Sequence, residues 1–310
     1  MTSPARILVI KLGALGDFVQ ALGPFAAIRA HHADAHITLL TTRPFAELAL
    51  ACPWFDQVWF DDKPRPWRPD RVLALRRRLR QGRFSRVYDL QTSDRSSWYF
   101  RLMGGGVDWS GIARGCSHPH ANPDRDRMHT VERQAEQLAM AGITPVPAPD
   151  LSWAKADLAR FGLVRPFALL CPGGAPHRPA KRWPVERFAA LATGLAERGI
   201  TPVLLGTAKE AAEIAQIRAA CPQSVDLGGR TSYLDLIALG GEAQAAIGND
   251  TGPMHLIAAG GCRALVLFSH DSDPGLCAPR GKVVVLRRPS LGDLTVDEAW
   301  AALAEMLASP

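Results

Sequence analysis

The sequence contains no uninterrupted run of the ~20 apolar residues that a membrane-spanning helix needs. The first apolar run, residues 7–10, is also shorter than the apolar region of a secretory signal peptide. We therefore expect a cytoplasmic protein with neither a membrane anchor nor a leader.

Several short motifs are missing as well. The six cysteines form no C-x-x-C pair, which disfavours a zinc site and predicts reduced thiols, mostly in cores. Neither G-x-G-x-x-G nor G-x-x-x-x-G-K-[ST] occurs, which disfavours ordinary dehydrogenases and phosphate-loop enzymes. The absence of repeats and heptads excludes solenoids and coiled coils.

What remains is the composition of a globular protein, with 47% hydrophobic and 21% charged residues in a chain of 310. This length predicts two domains of ~150 residues each. Three prolines within residues 144–149 exclude a regular element there. We place the boundary just beyond them, which gives domains over residues 1–155 and 156–310.

Apolar runs alternate with helix-like segments in both halves, which predicts an α/β fold with mostly parallel sheets. The last helix, opened by the Thr295-x-x-Glu298 capping pattern, can pack against either domain. The predicted strands cover residues 7–10, 37–40, 58–60, 87–90, 167–170, 203–205, 245–247 and 265–268.

The first candidate site is the loop Gly13-Ala14-Leu15-Gly16-Asp17 between a predicted strand and a helix. Ligands of open α/β sheets bind at such junctions. The positive end of the helix favours the ionised form of Asp17, and an ionised carboxylate can accept a proton. The alternative is that Asp17 only caps its helix.

A second candidate joins Cys171-Pro172-Gly173-Gly174 to Lys181-Arg182-Trp183-Pro184. Glycines allow backbone amides to approach an anion, and Lys181 can neutralise a diphosphate. The alternative is a proline-glycine turn with a surface lysine. We expect Trp183 to pack in the core rather than to stack on a ligand.

The third candidate, Gly248-Asn249-Asp250-Thr251-Gly252-Pro253-Met254-His255, precedes another predicted helix. Its amides suit a phosphate, although Asp250 or Thr251 capping the helix is an equal alternative. A weaker glycine turn, Gly228-Gly229-Arg230-Thr231-Ser232, also precedes a helix. Three of the four candidates fall in the second half, as expected for one phosphorylated ligand bound by that domain.

The formal net charge is +6, and arginines are concentrated at positions 76, 77, 78, 80 and 83. An acidic partner, either a phosphorylated acceptor or an anionic membrane leaflet, is one interpretation of this segment. A solvated helix face is the other. No nucleic-acid partner is expected.

Residues 7–17, Lys181 to Pro184 and Asn249 to His255, in this order and spacing, resemble the bacterial heptosyltransferases of glycosyltransferase family 9. The resemblance spans nearly the whole chain. It implies a type-B glycosyltransferase architecture, in which two Rossmann-like domains face a cleft. The first domain binds an inner-core lipopolysaccharide acceptor and the second binds ADP-L-glycero-D-manno-heptose, whose anomeric centre is inverted on transfer.

The resemblance also implies roles for single residues. Asp17 matches the general base, and Lys181 matches the lysine that binds the donor phosphates. Apart from the resemblance, Gly16 beside Asp17 and two residues of the arginine-rich segment, Arg76 and Arg80, are assigned to the acceptor. No metal and no cofactor beyond the nucleotide-sugar co-substrate are expected. The donor site is assigned to Gly173, Gly174, Lys181, Thr231, Ser232, Asp250, Thr251, Gly252 and His255.

The sequence departs from the family at two points. Gly173 and Gly174 stand where several relatives have hydroxyl residues, and the insert at residues 175–180 is longer than in familiar members. Two other functions therefore stay open. A nucleotide-sugar epimerase or hydrolase would turn over the donor without an acceptor, and a non-catalytic module would bind the nucleotide sugar without turnover.

Overall fold

The computed structural model describes residues 4–174 and 178–308. The chain divides into two compact units, Met1–Trp153 and Ala154–Pro310. Each unit contains one six-stranded sheet in which every strand pair is parallel.

The first unit alternates strands and helices. In chain order its elements are β1 (Arg6–Ile10), α1 (Leu15–Val19), α2 (Leu22–His31), β2 (His36–Thr41), α3 (Ala46–Ala51), β3 (Gln57–Phe60), α4 (Pro69–Gln81), β4 (Arg86–Asp89), α5 (Asp94–Met103), β5 (Asp108–Gly111), β6 (His118–Pro119) and α6 (Thr130–Met140).

The second unit repeats this plan. In chain order its elements are β7 (Phe167–Cys171), α7 (Val185–Glu197), β8 (Thr201–Leu204), α8 (Ala211–Ala220), β9 (Val225–Asp226), α9 (Tyr233–Glu242), β10 (Ala245–Asn249), α10 (Gly252–Ala259), β11 (Ala264–Ser269), α11 (Pro274–Cys277), β12 (Val283–Arg288) and α12 (Val296–Ala308).

The two sheets have the same topology. The strand order is β3-β2-β1-β4-β5-β6 in the first unit and β12-β11-β10-β7-β8-β9 in the second. Each chain path starts in the middle of its sheet, runs to one edge and then returns to fill the other side. The order therefore reverses between β1 and β4, and again between β7 and β10. Ligands of doubly wound folds bind beyond the carboxyl ends of the strands at this reversal.

The central strands are apolar because both of their faces are covered. Leu8, Val9 and Ile10 of β1 are fully buried, as are Ala264 to Phe268 of β11. Continuous apolar runs of this kind are typical of parallel sheets packed between helices. All eight strands predicted from such runs are present.

The structure modifies the first predicted helix. Phe18, Leu22, Phe25 and Ile28 recur at helical spacing and are all buried. The helix is nevertheless interrupted at Gln20 and Ala21, which separate α1 from α2. The spacing thus identified the buried face correctly but not the break.

Four strands were not predicted. β6 and β9 have two residues each, and β5 has the polar sequence Asp108-Trp109-Ser110-Gly111. These three carry too little periodicity to be detected. β12 begins with an apolar run and was overlooked; it is a half-exposed edge strand that pairs only with β11.

The last helix packs within the second unit. Ala299, Leu303 and Met306 of α12 join the core cluster that contains Leu191 and Leu195 of α7. All six cysteines are free and all but Cys277 are buried, which confirms the prediction of reduced core thiols. Among residues 4–174 and 178–308, no helix combines the length and the apolar character needed to cross a bilayer.

Candidate functional site

Asp17 lies at the start of α1, just beyond the carboxyl end of β1. Its Oδ2 accepts a hydrogen bond from the Ala14 amide at 3.2 Å, so it does cap its helix. This bond uses one oxygen of a half-buried carboxylate and leaves proton acceptance chemically feasible. The capping and the general-base interpretations are therefore compatible.

The loop before Asp17 requires glycine at its first position. Gly13 has φ +129°, and a Cβ there would lie 2.9 Å from the Phe45 ring. A side chain would meet both backbone strain and a steric clash. The close approach of Phe45 thus fixes the path of the chain from β1 into α1.

A buried lysine that the sequence analysis missed lies near Asp17, and a buried aspartate, Asp89, lies near that lysine. Lys11 is 3% exposed and donates from Nζ to the Leu90 carbonyl at 3.0 Å. Burial lowers the pKa of Lys11 to about 8, although the negative charges of Asp17 and Asp89 oppose this shift. The same lysine is also influenced by the positive charge of Arg133 on α6.

Asp89 is the last residue of β4, the strand that lies beside β1 where the strand order reverses. Its Oδ1 accepts from the amides of Gln91 and Thr92 at 3.1 and 3.0 Å. Burial raises the pKa of Asp89 to about 6 despite these bonds. Lys11 directly follows the apolar run 7–10 and Asp89 is a charged residue within the run 87–90, which is the sequence signal that could have identified them.

The three residues assigned to an acceptor are not brought together. Gly16 is in α1 beside Asp17, whereas Arg76 and Arg80 are on the exposed face of α4. Arg6 at the start of β1 donates to the carbonyl of Gly82, directly after α4, at 2.7 Å. The end of α4 that carries Arg80 is therefore at the edge where the strands begin. Asp17 follows the opposite end of β1, a five-residue strand that is ~13 Å long.

In the second unit, a cavity of about 270 Å³ lies at the carboxyl edge of the sheet. Four of the residues predicted for the donor site line it, namely Gly173, Gly174, Thr231 and Thr251. Cys171 and Pro253, which belong to the candidate segments, also line it. The rest of the lining was not predicted and comprises Leu205, Gly206, Thr207, Glu210, Tyr233 and Leu236.

Glu210 is the acidic residue of this lining. Its Oε2 accepts from the amide and the hydroxyl of Thr207 at 2.8 and 2.6 Å. A Cβ on Gly173 would lie 3.1 Å from Glu210 Cγ, so the glycine keeps backbone and carboxylate close together. The Thr207-x-x-Glu210 capping pattern after β8 was the available sequence signal.

Lys181 and Asp250 form an ion pair. Lys181 Nζ is 2.8 Å from Asp250 Oδ2, and both side chains are almost buried. The same oxygen accepts a 2.7 Å hydrogen bond from the Ser272 hydroxyl. Lys181 and Asp250 were predicted to share a site, and Ser272 was missed. No local pattern distinguishes that serine from the others in the sequence.

The segment around Lys181 is anchored to the end of β10. Asn249 is fully buried, and its side chain accepts from the Trp183 amide at 3.1 Å. Trp183 is buried, donates from Nε1 to the Leu294 carbonyl at 2.8 Å and packs edge-on against Phe188. The prediction that Trp183 is a core residue is confirmed.

The other residues predicted for the donor site lie in or beside the first turns of α9 and α10. Thr251 is the N-cap of α10, but no side-chain bond caps that helix and its hydroxyl donates to the Asn249 carbonyl at 3.2 Å. Capping of α10 by the Thr251 side chain, one form of the capping alternative, is therefore not observed. Gly252 is the first residue of α10, and His255 is buried within it.

Ser232 caps α9, accepting from the Asp235 amide at 3.2 Å, and is not part of the cavity lining. Residues 175–177 of the predicted insert lie outside the described residues. Within the described ranges, no three His, Cys, Asp or Glu side chains are grouped as metal ligands. The metal-independence of the chemistry stays a prediction.

The chain is similar to known heptosyltransferases. It is 27% identical over 303 residues to lipopolysaccharide heptosyltransferase 2 of Salmonella typhimurium, covering 88% of this chain and 85% of that protein. It is 32% identical to lipooligosaccharide heptosyltransferase 2 of Haemophilus influenzae, and that match spans 46% of this chain and only 48% of the relative.

The fold is also that of a solved relative. The structure of E. coli ADP-heptose lipopolysaccharide heptosyltransferase II superimposes with a TM-score of 0.80 at 24% identity, covering 97% of this chain and 98% of that one. This likeness confirms the predicted type-B fold class. The model of glycosyltransferase family 9 (heptosyltransferase) matches residues 72–288, more than two thirds of the sequence. The chain therefore belongs to glycosyltransferase family 9, the heptosyltransferase family.

Proposed function

We propose that this glycosyltransferase moves a heptose from ADP-heptose to the inner core of lipopolysaccharide, or to a similar acidic glycolipid, with inversion at the anomeric carbon. The observation that carries the proposal is the cavity of the second unit, at the carboxyl ends of its strands. The ion pair of Lys181 with Asp250 and the start of α10 lie at the same end of the sheet. Relatives named for heptose transfer support the choice of sugar.

The cavity lining suits a nucleoside. Leu205, Tyr233 and Leu236 offer an apolar and aromatic surface for the base. Glu210 offers carboxylate oxygens that can accept hydrogen bonds from ribose hydroxyls. Because Gly173 lacks a side chain at this point, only its backbone contributes to recognition there.

The diphosphate is assigned to the start of α10, where Thr251 lines the cavity, and to Lys181, which lies outside the lining. The ammonium of Lys181 provides positive charge, and the amides of Thr251 and Gly252 point from the start of α10, an eight-residue helix. Lys181 also stabilises the negative charge that develops on the departing nucleotide. It takes the electrostatic role that a metal ion has in other transferases, so the proposed reaction uses no metal and no cofactor.

Asp17 serves as the general base. It removes the proton from the acceptor hydroxyl while that oxygen attacks the anomeric carbon. The bond from this carbon to the phosphate oxygen breaks as the new glycosidic bond forms, and ADP leaves. A single displacement of this kind inverts the anomeric centre. Lys11 supplies nearby positive charge for an acidic acceptor.

The exposed face of α4 is assigned a different partner. Leu73, Arg76, Arg77 and Arg80 follow helical spacing on this face, and the adjacent Trp67 is 69% exposed. Arginines that surround exposed apolar side chains suit an anionic bilayer, in which phosphates bind the guanidinium groups and the apolar groups enter the interface. We assign α4 to peripheral contact with the inner membrane leaflet, where a glycolipid acceptor resides.

The test is ADP release by the purified protein with ADP-heptose and a heptose-deficient core acceptor. Acceptor-dependent release and a product of inverted configuration are expected, with weaker turnover of UDP-sugars. Turnover in the absence of acceptor would instead favour an epimerase or hydrolase. Tight nucleotide-sugar binding without turnover on any core acceptor would indicate a non-catalytic module.

A further inference from the structure

We propose that Ser272 is a positioning residue of the donor site, which fixes the Asp250 carboxylate and thereby the ammonium of Lys181. The inference rests on the proposed donor role of Lys181 and adds a residue that neither sequence pattern nor cavity lining identifies. Ser272 touches no reacting atom in this scheme, because it acts only through its neighbour.

The contact geometry is specific. Two donors converge on one carboxylate oxygen, since Lys181 Nζ and Ser272 Oγ lie 2.8 and 2.7 Å from Asp250 Oδ2. Asp250 is itself fixed at the backbone, where its amide donates to the Leu267 carbonyl of β11 at 3.0 Å. The Asp250 backbone is thus held by β11, and its carboxylate is held by the segment before α7 and by the turn after β11.

Ser272 is placed by a tight turn rather than by a flexible loop. The Ser272 amide donates to the Ser269 carbonyl at 3.3 Å, and the Asp271 amide donates to the Ser269 hydroxyl at 3.2 Å. Ser269 ends β11 and is buried. Because this turn starts from a central strand, the position of the Ser272 hydroxyl is tied to the sheet.

The Ser272 hydroxyl matters because the Lys181 ammonium has to bind both Asp250 and the donor diphosphate. A lysine side chain is flexible, and ordering it at a phosphate costs conformational entropy unless another group already holds it. Asp250 provides that hold, but a carboxylate bonded to Lys181 alone can follow the ammonium. The Ser272 bond keeps Asp250 in place when the ammonium shares its protons with a diphosphate.

The first experiment measures ADP binding by calorimetry, without acceptor, for Ser272→Ala and Ser272→Thr. A bond to a charged group is lost in the alanine variant, so we expect the dissociation constant to rise about tenfold. Threonine keeps the hydroxyl and should restore affinity to within about threefold. In turnover assays the alanine variant should raise KM for the donor but not for the acceptor.

The second experiment repeats Ser272→Ala in a Lys181→Met background. If Ser272 acts through the ammonium, the added substitution changes ADP affinity by less than about twofold, whereas independent effects would multiply. Thr193→Ala is the matched control, because that hydroxyl bonds within α7, to the Ala189 carbonyl. Ser272→Cys, with a weak thiol donor, provides a second variant if alanine impairs folding.

Each outcome decides the proposal. Wild-type affinity in Ser272→Ala, weak binding in both the alanine and the threonine variants, or multiplicative losses with Lys181→Met would each overturn it while leaving the proposed function intact. A wild-type protein that binds no ADP and turns over no ADP-sugar would overturn both. An active wild type with a selective, threonine-rescued donor defect supports the positioning role.

Discussion

Asn249, the last residue of β10, donates from its side chain to the carbonyl of Pro172, just after β7, at 2.9 Å. The same amide donates to the Gly173 carbonyl at 3.0 Å, and its oxygen accepts from Trp183. One buried side chain therefore joins three of the segments that carry donor-site residues. The sequence places Asn249 in the third candidate loop without a role of its own, whereas the structure shows that its side chain connects the loop to the other segments.

Replacing Asn249 with alanine should destabilise the second unit. The substitution leaves buried carbonyl and amide groups without partners, so we expect a loss of roughly 3 kcal/mol in the free energy of unfolding. Urea denaturation followed by tryptophan fluorescence measures this loss. Asn122→Ala, at a half-buried asparagine in the first unit, is the control and should cost less. Equal losses would contradict the role given to Asn249.

Asp17→Asn should reduce turnover ~10²–10⁴-fold, the usual contribution of a positioned base. The asparagine oxygen can still accept from the Ala14 amide, so the cap and the thermal stability should be retained. ADP release and thermal unfolding are to be measured on the same preparation. A variant that keeps at least a tenth of the wild-type rate would show that another group accepts the proton.

Asp89→Asn should change stability in a pH-dependent way. The pKa of Asp89 is raised by burial to about 6, so the folded state holds a proton that the unfolded state loses near pH 4. The contribution of this carboxyl to stability is thus complete below pH 4 and is lost as the pH rises through 6. A neutral amide avoids that loss. We expect the unfolding free energy of the variant, relative to that of the wild type, to be roughly 1–3 kcal/mol higher at pH 7.5 than at pH 4.

The measurement for Asp89→Asn is the difference in urea unfolding free energy between the two proteins at several pH values. The comparison removes the titration of all other groups that the two proteins share. A difference that stays constant from pH 4 to 7.5 would show that burial does not raise the pKa of Asp89.

The α4 surface should bind anionic vesicles that contain no glycolipid acceptor. Each arginine near such a surface contributes ~1 kcal/mol, so changing Arg76, Arg77 and Arg80 to glutamine should weaken partitioning roughly 100-fold. Leu73→Ala should weaken it further than Leu50→Ala, a control leucine of similar exposure (59% and 68%) on α3. Equal binding by all variants in a flotation assay would show that the exposed face of α4 is only a solvated surface.

The sequence predicted which residue types belong to the donor site better than it predicted where those residues lie in the fold. Lys181 and Asp250 stood out because an ammonium and an amide-rich loop suit a diphosphate, and the structure pairs them. Arg80 was assigned by charge alone, and the structure places the end of α4 that carries it near the start of β1, away from Asp17. Lys11, Glu210 and Ser272 were missed because their roles depend on burial and on neighbours that are distant in the chain.

By itself, the sequence determined the alternation of buried strands with helices, and therefore two parallel sheets, because that pattern depends on local periodicity and on apolar runs. Only the tertiary structure decided that β10 lies beside β7. This strand order brings Asp250 within 2.8 Å of Lys181 across 69 residues of chain, and Ser272 within 2.7 Å of the same carboxylate across 22. Such convergence depends on which strands share hydrogen bonds, and no local segment contains that information.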